Sequence, residues 1–127
     1  MRSRPVIALI GIGMAVTGVA GLTATTAAAE DPTTTCRKAL DELEETYGIC
    51  TWSEQNFRGE MTVLTNFQGT DKCGNLSPTA KSAVNLSDEE HLFYRFTKCQ
   101  EKNFLTSIEP WESQATFGPS AAAGSWR

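Results

Sequence analysis

The chain has 127 residues, with 11 basic and 15 acidic side chains and a formal net charge of −4 at pH 7. This length suits one domain after removal of a leader. An acidic surface repels phosphate backbones, which argues against nucleic-acid binding. The acidity fits a soluble exported protein and narrows the function no further.

Residues 1–29 are predicted to be a secretory signal peptide. Two arginines precede an uncharged run over residues 6–22, and small residues follow in "TTAAAE". This order is that of a cleaved export signal. A membrane anchor is the alternative, because the run is near the lower length limit for a span, but it contains four glycines. We expect cleavage after Ala29, a secreted mature chain from Glu30, and no membrane association afterwards.

All four cysteines lie in the predicted mature part, at Cys36, Cys50, Cys73 and Cys99. An even number in a small exported chain indicates two disulfides, for which three connectivities exist. Zinc is the alternative, but no pair has C-x2-C or C-x4-C spacing and the chain has one histidine. We therefore expect disulfides, no metal site and no cofactor.

Residues 30–47 are predicted to form a polar leader and a short helix. Apolar residues recur at helical spacing in "CRKALDELEETY", residues 36–47. Gly48 follows, where glycine commonly ends a helix. We expect this helix to cover one end of a sheet and to have no role in binding.

Residues 48–127 consist of short stretches rich in β-branched and aromatic residues. These stretches are "ICTWSEQNF", "EMTVLTNF", "SAVNL", "HLFYRFT" and "FLTSI". Turn-forming residues separate them, as in "QGTDKCGN", "LSPTAK", "NLSDEE", "EPWES" and "FGPSAAAGS". Short strands with regular turn signals predict an all-β sandwich or barrel.

A weak internal repeat runs through this region. Trp52 lies five residues before Phe57, and Tyr94 lies five residues before Cys99. "AKSAV" at 80–84 likewise matches "AGSWR" at 123–127, in which Ser125 corresponds to Ser82. The offsets predict two copies of a unit of about forty residues.

The stretch around Gly59 fits a strand that folds back on itself. Trp52 and Phe57 would cover the bend, and glycine tolerates the positive φ that such a bend needs. Ser82 could supply a hydroxyl to backbone that no neighbouring strand reaches. We assign these four residues a structural role.

The quoted segments carry a resemblance to a known family. "CTWSEQNFRGE", followed by "NLSPTAKSAVNLS", resembles the first Greek-key motif of the βγ-crystallin fold. More narrowly, it resembles the secreted actinobacterial proteins grouped with the streptomycete metalloproteinase inhibitor, over residues 48–127. The resemblance implies a sandwich of two Greek-key motifs, with Tyr94 and Ser125 in the second. It also implies a secreted peptidase inhibitor, which we expect to be a monomer.

The sequence departs from this pattern at several positions. Glu101 replaces the fold-back glycine of the second motif, which predicts an irregular hairpin there. Ala83 replaces a second serine. Pro78 and Thr79 replace the acidic or amide pair that would bind calcium, and calcium prefers carboxylate and carbonyl oxygens. We expect no stabilisation by calcium.

The resemblance also selects a disulfide pairing. If each aromatic unit starts a Greek key, Cys99 takes the place of the second aromatic, and a bridge to Cys73 would tie the motifs together. The remaining pair is Cys36 with Cys50. A helix over residues 36–47 would span roughly 16 Å and hold that pair apart. Either the helix begins later, near Ala39 or Leu40, or Cys36 pairs elsewhere; we keep the pairing and expect the shorter helix.

No catalytic group is predicted. His91 lies in "DEEHLF", which reads as a solvated turn, although a general base there is conceivable. No second histidine could activate a serine nucleophile, and the cysteines are assigned to disulfides. We interpret the protein as a non-enzyme.

Two functions remain. In the first, an inhibitor of an extracellular protease acts through a rigid exposed loop, because rigidity lowers the entropy lost on binding. The candidate is "TDKCGNLSP", braced at its cysteine, with candidate contact residues Thr70, Asp71, Lys72, Cys73, Gly74 and Asn75. An ordinary connection between strands is the alternative reading of this loop. The second function is a non-inhibitory binding or envelope-associated module with Trp111 and Trp126 as candidate contact residues. A place in the core is the alternative for both tryptophans.

Overall fold

The computed structural model describes residues 30–65 and 72–127. The predicted signal peptide, and Thr70 and Asp71 of the candidate loop, lie outside the described residues. Apart from Glu30, the described residues belong to one compact unit, Asp31–Arg127.

The N-terminal helix, α1, spans Pro32–Glu42. The Asp31 side chain caps it by accepting a hydrogen bond from the backbone N–H of Thr34 at 3.2 Å. Pro32 fits the first turn, where its missing N–H costs nothing. The expected helix over residues 36–47, or from Ala39 onward, is therefore wrong: it begins inside the polar leader, because an aspartate followed by proline is a strong start signal.

The early end of α1 removes the conflict over the first disulfide. The helix ends at Glu42, and Gly48 begins a strand rather than capping the helix. The chain between them returns far enough for Cys36 and Cys50 to meet, with their Cα atoms 5.7 Å apart.

Two four-stranded antiparallel sheets form the domain. The strands are β1 (Gly48–Glu54), β2 (Arg58–Leu64), β3 (Gly74–Ala80), β4 (Ser82–Leu86), β5 (His91–Tyr94), β6 (Phe104–Ile108), β7 (Ser113–Gln114) and β8 (Ala123–Trp126). The first sheet has the order β2-β1-β4-β7 and the second β3-β8-β5-β6. Strands β1, β2 and β4 of the first half share one sheet, and β5, β6 and β8 of the second half share the other. The third strand of each half, β3 or β7, belongs to the opposite sheet.

The main core lies between the two sheets. Ile49 and Ala83 from the first sheet pack in one cluster with Phe93 and Ile108 from the second. Phe117, from the connection between β7 and β8, packs its ring 5.3 Å from that of Phe93. The domain is thus a β-sandwich, in agreement with the all-β expectation, and α1 is the short N-terminal helix expected before it, although with other bounds.

The helix covers the other face of the first sheet. Side chains alternate between the faces of a strand, so Cys50 and Trp52 of β1 point away from the inter-sheet core. They form a second buried cluster with Cys36 and Leu40 of α1 and with Val84. The helix and the first disulfide therefore seal this outer face.

Three strands, β3, β7 and β8, lie in stretches predicted as turns. Their sequences are rich in Gly, Ser and Pro, which disfavour strands. Packing explains two of the glycines. A Cβ on Gly74 would lie 2.6 Å from Nε1 of Trp126, and one on Gly124 would lie 3.0 Å from backbone atoms at Arg95 and Phe96. These close approaches, which residue propensities do not reveal, explain the glycines of β3 and β8.

Candidate binding surfaces

The first fold-back, residues 54–59, is held by one serine. Ser82 Oγ accepts from the backbone N–H of Phe57 at 3.0 Å and donates to the carbonyl of Glu54 at 2.7 Å. The rings of Trp52 and Phe57 meet edge to face, with centroids 5.4 Å apart. Gly59 has φ of 85°. The four residues assigned to this bend therefore meet there, and their role is structural.

The second fold-back, residues 96–101, repeats this arrangement. Ser125 Oγ accepts from the backbone N–H of Cys99 at 2.9 Å and donates to the carbonyl of Phe96 at 2.5 Å. Tyr94 is fully buried, and Phe104 meets its ring at 5.9 Å. Glu101, at the position of the first glycine, begins a 3₁₀ turn to Asn103 before β6 starts. This turn is the irregularity expected from the missing glycine.

The second disulfide joins this fold-back to the other half of the chain. Cys73 and Cys99 are bonded, with Cα atoms 5.9 Å apart. Cys99 occupies the place that Phe57 fills in the first fold-back. The described residues contain no free cysteine. Both observed pairings are those expected from the resemblance.

β3 takes up part of the segment predicted as the candidate inhibitory loop. Gly74 and Asn75 are the first residues of β3, where Gly74 pairs with Trp126 and Asn75 with Ser125. The Asn75 side chain also accepts from the backbone N–H of Lys98 at 3.2 Å. The assignment of Gly74 and Asn75 to a loop was wrong, because their backbone is committed to the sheet. Lys72 and Cys73 are exposed and precede the strand.

His91 is not the solvated turn residue expected from the sequence. It begins β5, is 2% exposed, and its ring lies 5.5 Å from that of Trp126. Burial lowers its pKa from the ordinary 6.5, while the Glu89 carboxylate and a hydrogen bond with the Arg127 backbone act in the opposite direction. The acidic residues before it suggested a turn, but the bend covers residues 87–89 and β5 begins at His91.

The two candidate contact tryptophans differ in their surroundings. Trp126 packs against the main core and against Gly74. Trp111 is 53% exposed, and its ring lies 5.8 Å from that of Tyr47, which is also exposed. Of the two, Trp111 is the one available to a partner. Tyr47 was predicted only as a helix residue, and no sequence signal linked it to Trp111.

Among residues 30–65 and 72–127, no group of three or more His, Cys, Asp or Glu side chains could hold a metal ion. In the same ranges no helix is long and apolar enough to cross a membrane.

Comparison with known proteins does not assign the chain. The sequence matches no protein-family model and none of the curated proteins with which it was compared. The geometry of the candidate surfaces is therefore the guide to their function.

Proposed function

We propose that the chain is a secreted βγ-crystallin-like domain built from two Greek-key motifs. The exchange of β3 and β7 between the sheets supports this assignment, because a Greek key returns its fourth strand beside its first. In each half the fourth strand, β4 or β8, pairs with the first, β1 or β5. The two serine-held fold-backs support it independently. Two disulfides suit export to an oxidising compartment.

The function we propose is inhibition of an extracellular peptidase, most directly a metalloprotease. The resemblance of "CTWSEQNFRGE" and "NLSPTAKSAVNLS" to the inhibitor family motivates it. The observation that supports it is the Cys73–Cys99 bond, which fixes the chain next to candidate contact residues 70–72. An anchored segment loses little entropy when it enters a protease cleft.

A panel of purified secreted metallo- and serine proteases tests this function. The protein should slow substrate cleavage by at least one metalloprotease at micromolar concentration. It should itself remain intact, since a rapidly cleaved segment would act as a substrate. Failure to slow any member of the panel would reject the proposal.

A second function is a binding or envelope-associated module without inhibition. The exposed pair of Tyr47 and Trp111 favours it. Exposed, ordered aromatic rings are typical of contact residues in protein interfaces. Folds of this kind also host unrelated functions.

A further inference from the structure

Trp111 occupies a turn position that usually holds glycine. The backbone N–H of Glu112 donates to the carbonyl of Glu109 at 3.2 Å, which closes a turn over residues 109–112. Pro110 is the second residue of this turn, and Trp111, the third, has φ of 66°. Turns with proline second and positive φ third favour glycine or asparagine at that place. A tryptophan here strains the backbone, and such strain points to a function.

The strained side chain is exposed to solvent rather than used for packing the core. Trp111 is 53% and Tyr47 42% exposed, and their rings contact each other at a tilt of 57°. We call these two residues the aromatic platform. Trp111 belongs to neither buried cluster, and the half of its side chain that faces solvent is better explained by contact with a partner.

The backbone next to each ring of the platform is bonded to the sandwich. On one side, Tyr47 directly precedes Gly48, which pairs with Leu86 at the end of β4. On the other, Asn85 is fully buried, and its Nδ2 donates to the carbonyls of Ile108 at 3.0 Å and Glu109 at 3.1 Å. The backbone beside both rings is therefore fixed to the sandwich, and the rings contact each other, which lowers the entropy cost of association.

Acidic side chains flank both rings in the chain. Four exposed glutamates lie within three residues of Tyr47 or Trp111, namely Glu44, Glu45, Glu109 and Glu112. Within residues 30–65 and 72–127, none of them forms an ion pair. A nearby cation, Arg37, already donates to the carbonyl of Thr46 at 2.9 Å. Arg37 keeps its positive charge in that hydrogen bond, so the segments that carry the platform hold four glutamates against this one nearby cation and are net acidic.

We propose that the aromatic platform and its four glutamates bind an arginine- or lysine-bearing segment of a partner protein. Aromatic faces attract guanidinium and ammonium groups, and arginine also stacks on the ring. Carboxylates around the rings would steer a basic segment towards them. A second copy of the chain is disfavoured, because its net charge of −4 repels itself. This inference specifies the partner of the binding-module function and does not involve the candidate inhibitory loop.

A labelled peptide of alternating arginine and glycine tests the proposal, with a glutamate–glycine peptide as the matched probe. Fluorescence anisotropy should show that the purified protein binds only the arginine peptide, and that added salt weakens the binding. Trp111→Asn should weaken it about tenfold or more. The same variant should melt at the wild-type temperature or above, because asparagine tolerates the positive φ. Loss of binding without loss of stability separates a contact role from a structural one.

Charge variants provide the second arm. The double variant Glu109→Gln/Glu112→Gln should weaken binding of the arginine peptide, whereas Glu60→Gln, an exposed glutamate of β2, should leave it unchanged.

Four results would overturn the proposal. These are no binding of the arginine peptide, equal binding of both peptides, binding unaffected by Trp111→Asn, and a concentration-dependent dimer that this variant abolishes, which would assign the platform to a second copy. Because the peptide is not a protease, absence of peptide binding would leave the inhibitor function untouched. Absence of inhibition would likewise leave the platform untouched.

Discussion

Ser82 and Ser125 hold the same position in the two halves of the domain. Each hydroxyl accepts a backbone N–H and donates to the carbonyl three residues earlier, at Phe57 and Glu54 in one half and at Cys99 and Phe96 in the other. Both serines are fully buried. One hydroxyl thus bonds both a backbone donor and a backbone acceptor of the bend, which explains why each fold-back can leave the regular strand pairing.

Replacing Ser82 by alanine should destabilise the domain by about 2–4 kcal/mol, because two hydrogen bonds are lost and both backbone groups are left with no protein partner. Ser125→Ala should behave alike. Ser77→Ala, on an exposed position of β3, is the matched control and should change stability by less than about 0.5 kcal/mol. Urea unfolding of the three variants measures this. Equal stabilities of Ser82→Ala and Ser77→Ala would show that the serine does not hold the bend.

The positions of Gly59 and Glu101 should differ sharply in tolerance. A Cβ on Gly59 would lie 2.2 Å from Ser53 Oγ, at a φ of 85°. Gly59→Ala should therefore cost about 2–4 kcal/mol from strain and overpacking. Glu101→Ala removes a surface ion pair with Arg127, and the Glu101 side chain is 83% exposed. This change should lower the free energy of unfolding by less than about 1 kcal/mol. Thermal unfolding distinguishes them, and similar losses would contradict the comparison.

The bond between Cys73 and Cys99 should be a main source of stability. The two cysteines are 26 residues apart, against 14 for Cys36 and Cys50. On the chain-entropy estimate, the double variant Cys73→Ser/Cys99→Ser should be less stable by about 3–4 kcal/mol. Peptide mapping of the unreduced protein checks the pairing first. A fragment linking Cys36 to either Cys73 or Cys99 would refute it.

Acid should weaken the fold through His91. Burial lowers the pKa of His91 in the folded state below the ordinary 6.5. Just below pH 6.5 the imidazole is therefore protonated more in the unfolded chain than in the folded one. Stability then falls as the pH drops from 6.5 towards the folded-state pKa. Denaturant unfolding of wild type and His91→Gln between about pH 7 and 5 isolates the contribution of this side chain. An unchanged pH dependence in the variant would contradict it.

The sequence predicted the sandwich and the first fold-back, because aromatic, glycine and serine spacing directly reflects local backbone geometry. "SAVNL" likewise matches β4 residue for residue. The sequence did not predict β3 and β8, because their glycines allow close contacts with residues distant in sequence and have a low strand propensity. His91 was misjudged for a similar reason: its burial arises from Trp126, which is distant in sequence. The contact of Tyr47 with Trp111 also depends on strand pairing that single-sequence patterns do not encode.

Titration of a susceptible secreted metalloprotease tests the proposed inhibition most directly. Three forms of the protein are compared: wild type, a variant with residues 70–72 replaced by Gly-Ser-Gly, and Trp111→Asn as a folded surface control. The proposal predicts that wild type and Trp111→Asn slow substrate cleavage equally, while the loop variant is folded but inactive. Inhibition by the loop variant at the wild-type level, or no inhibition of any metalloprotease by wild type, would contradict it.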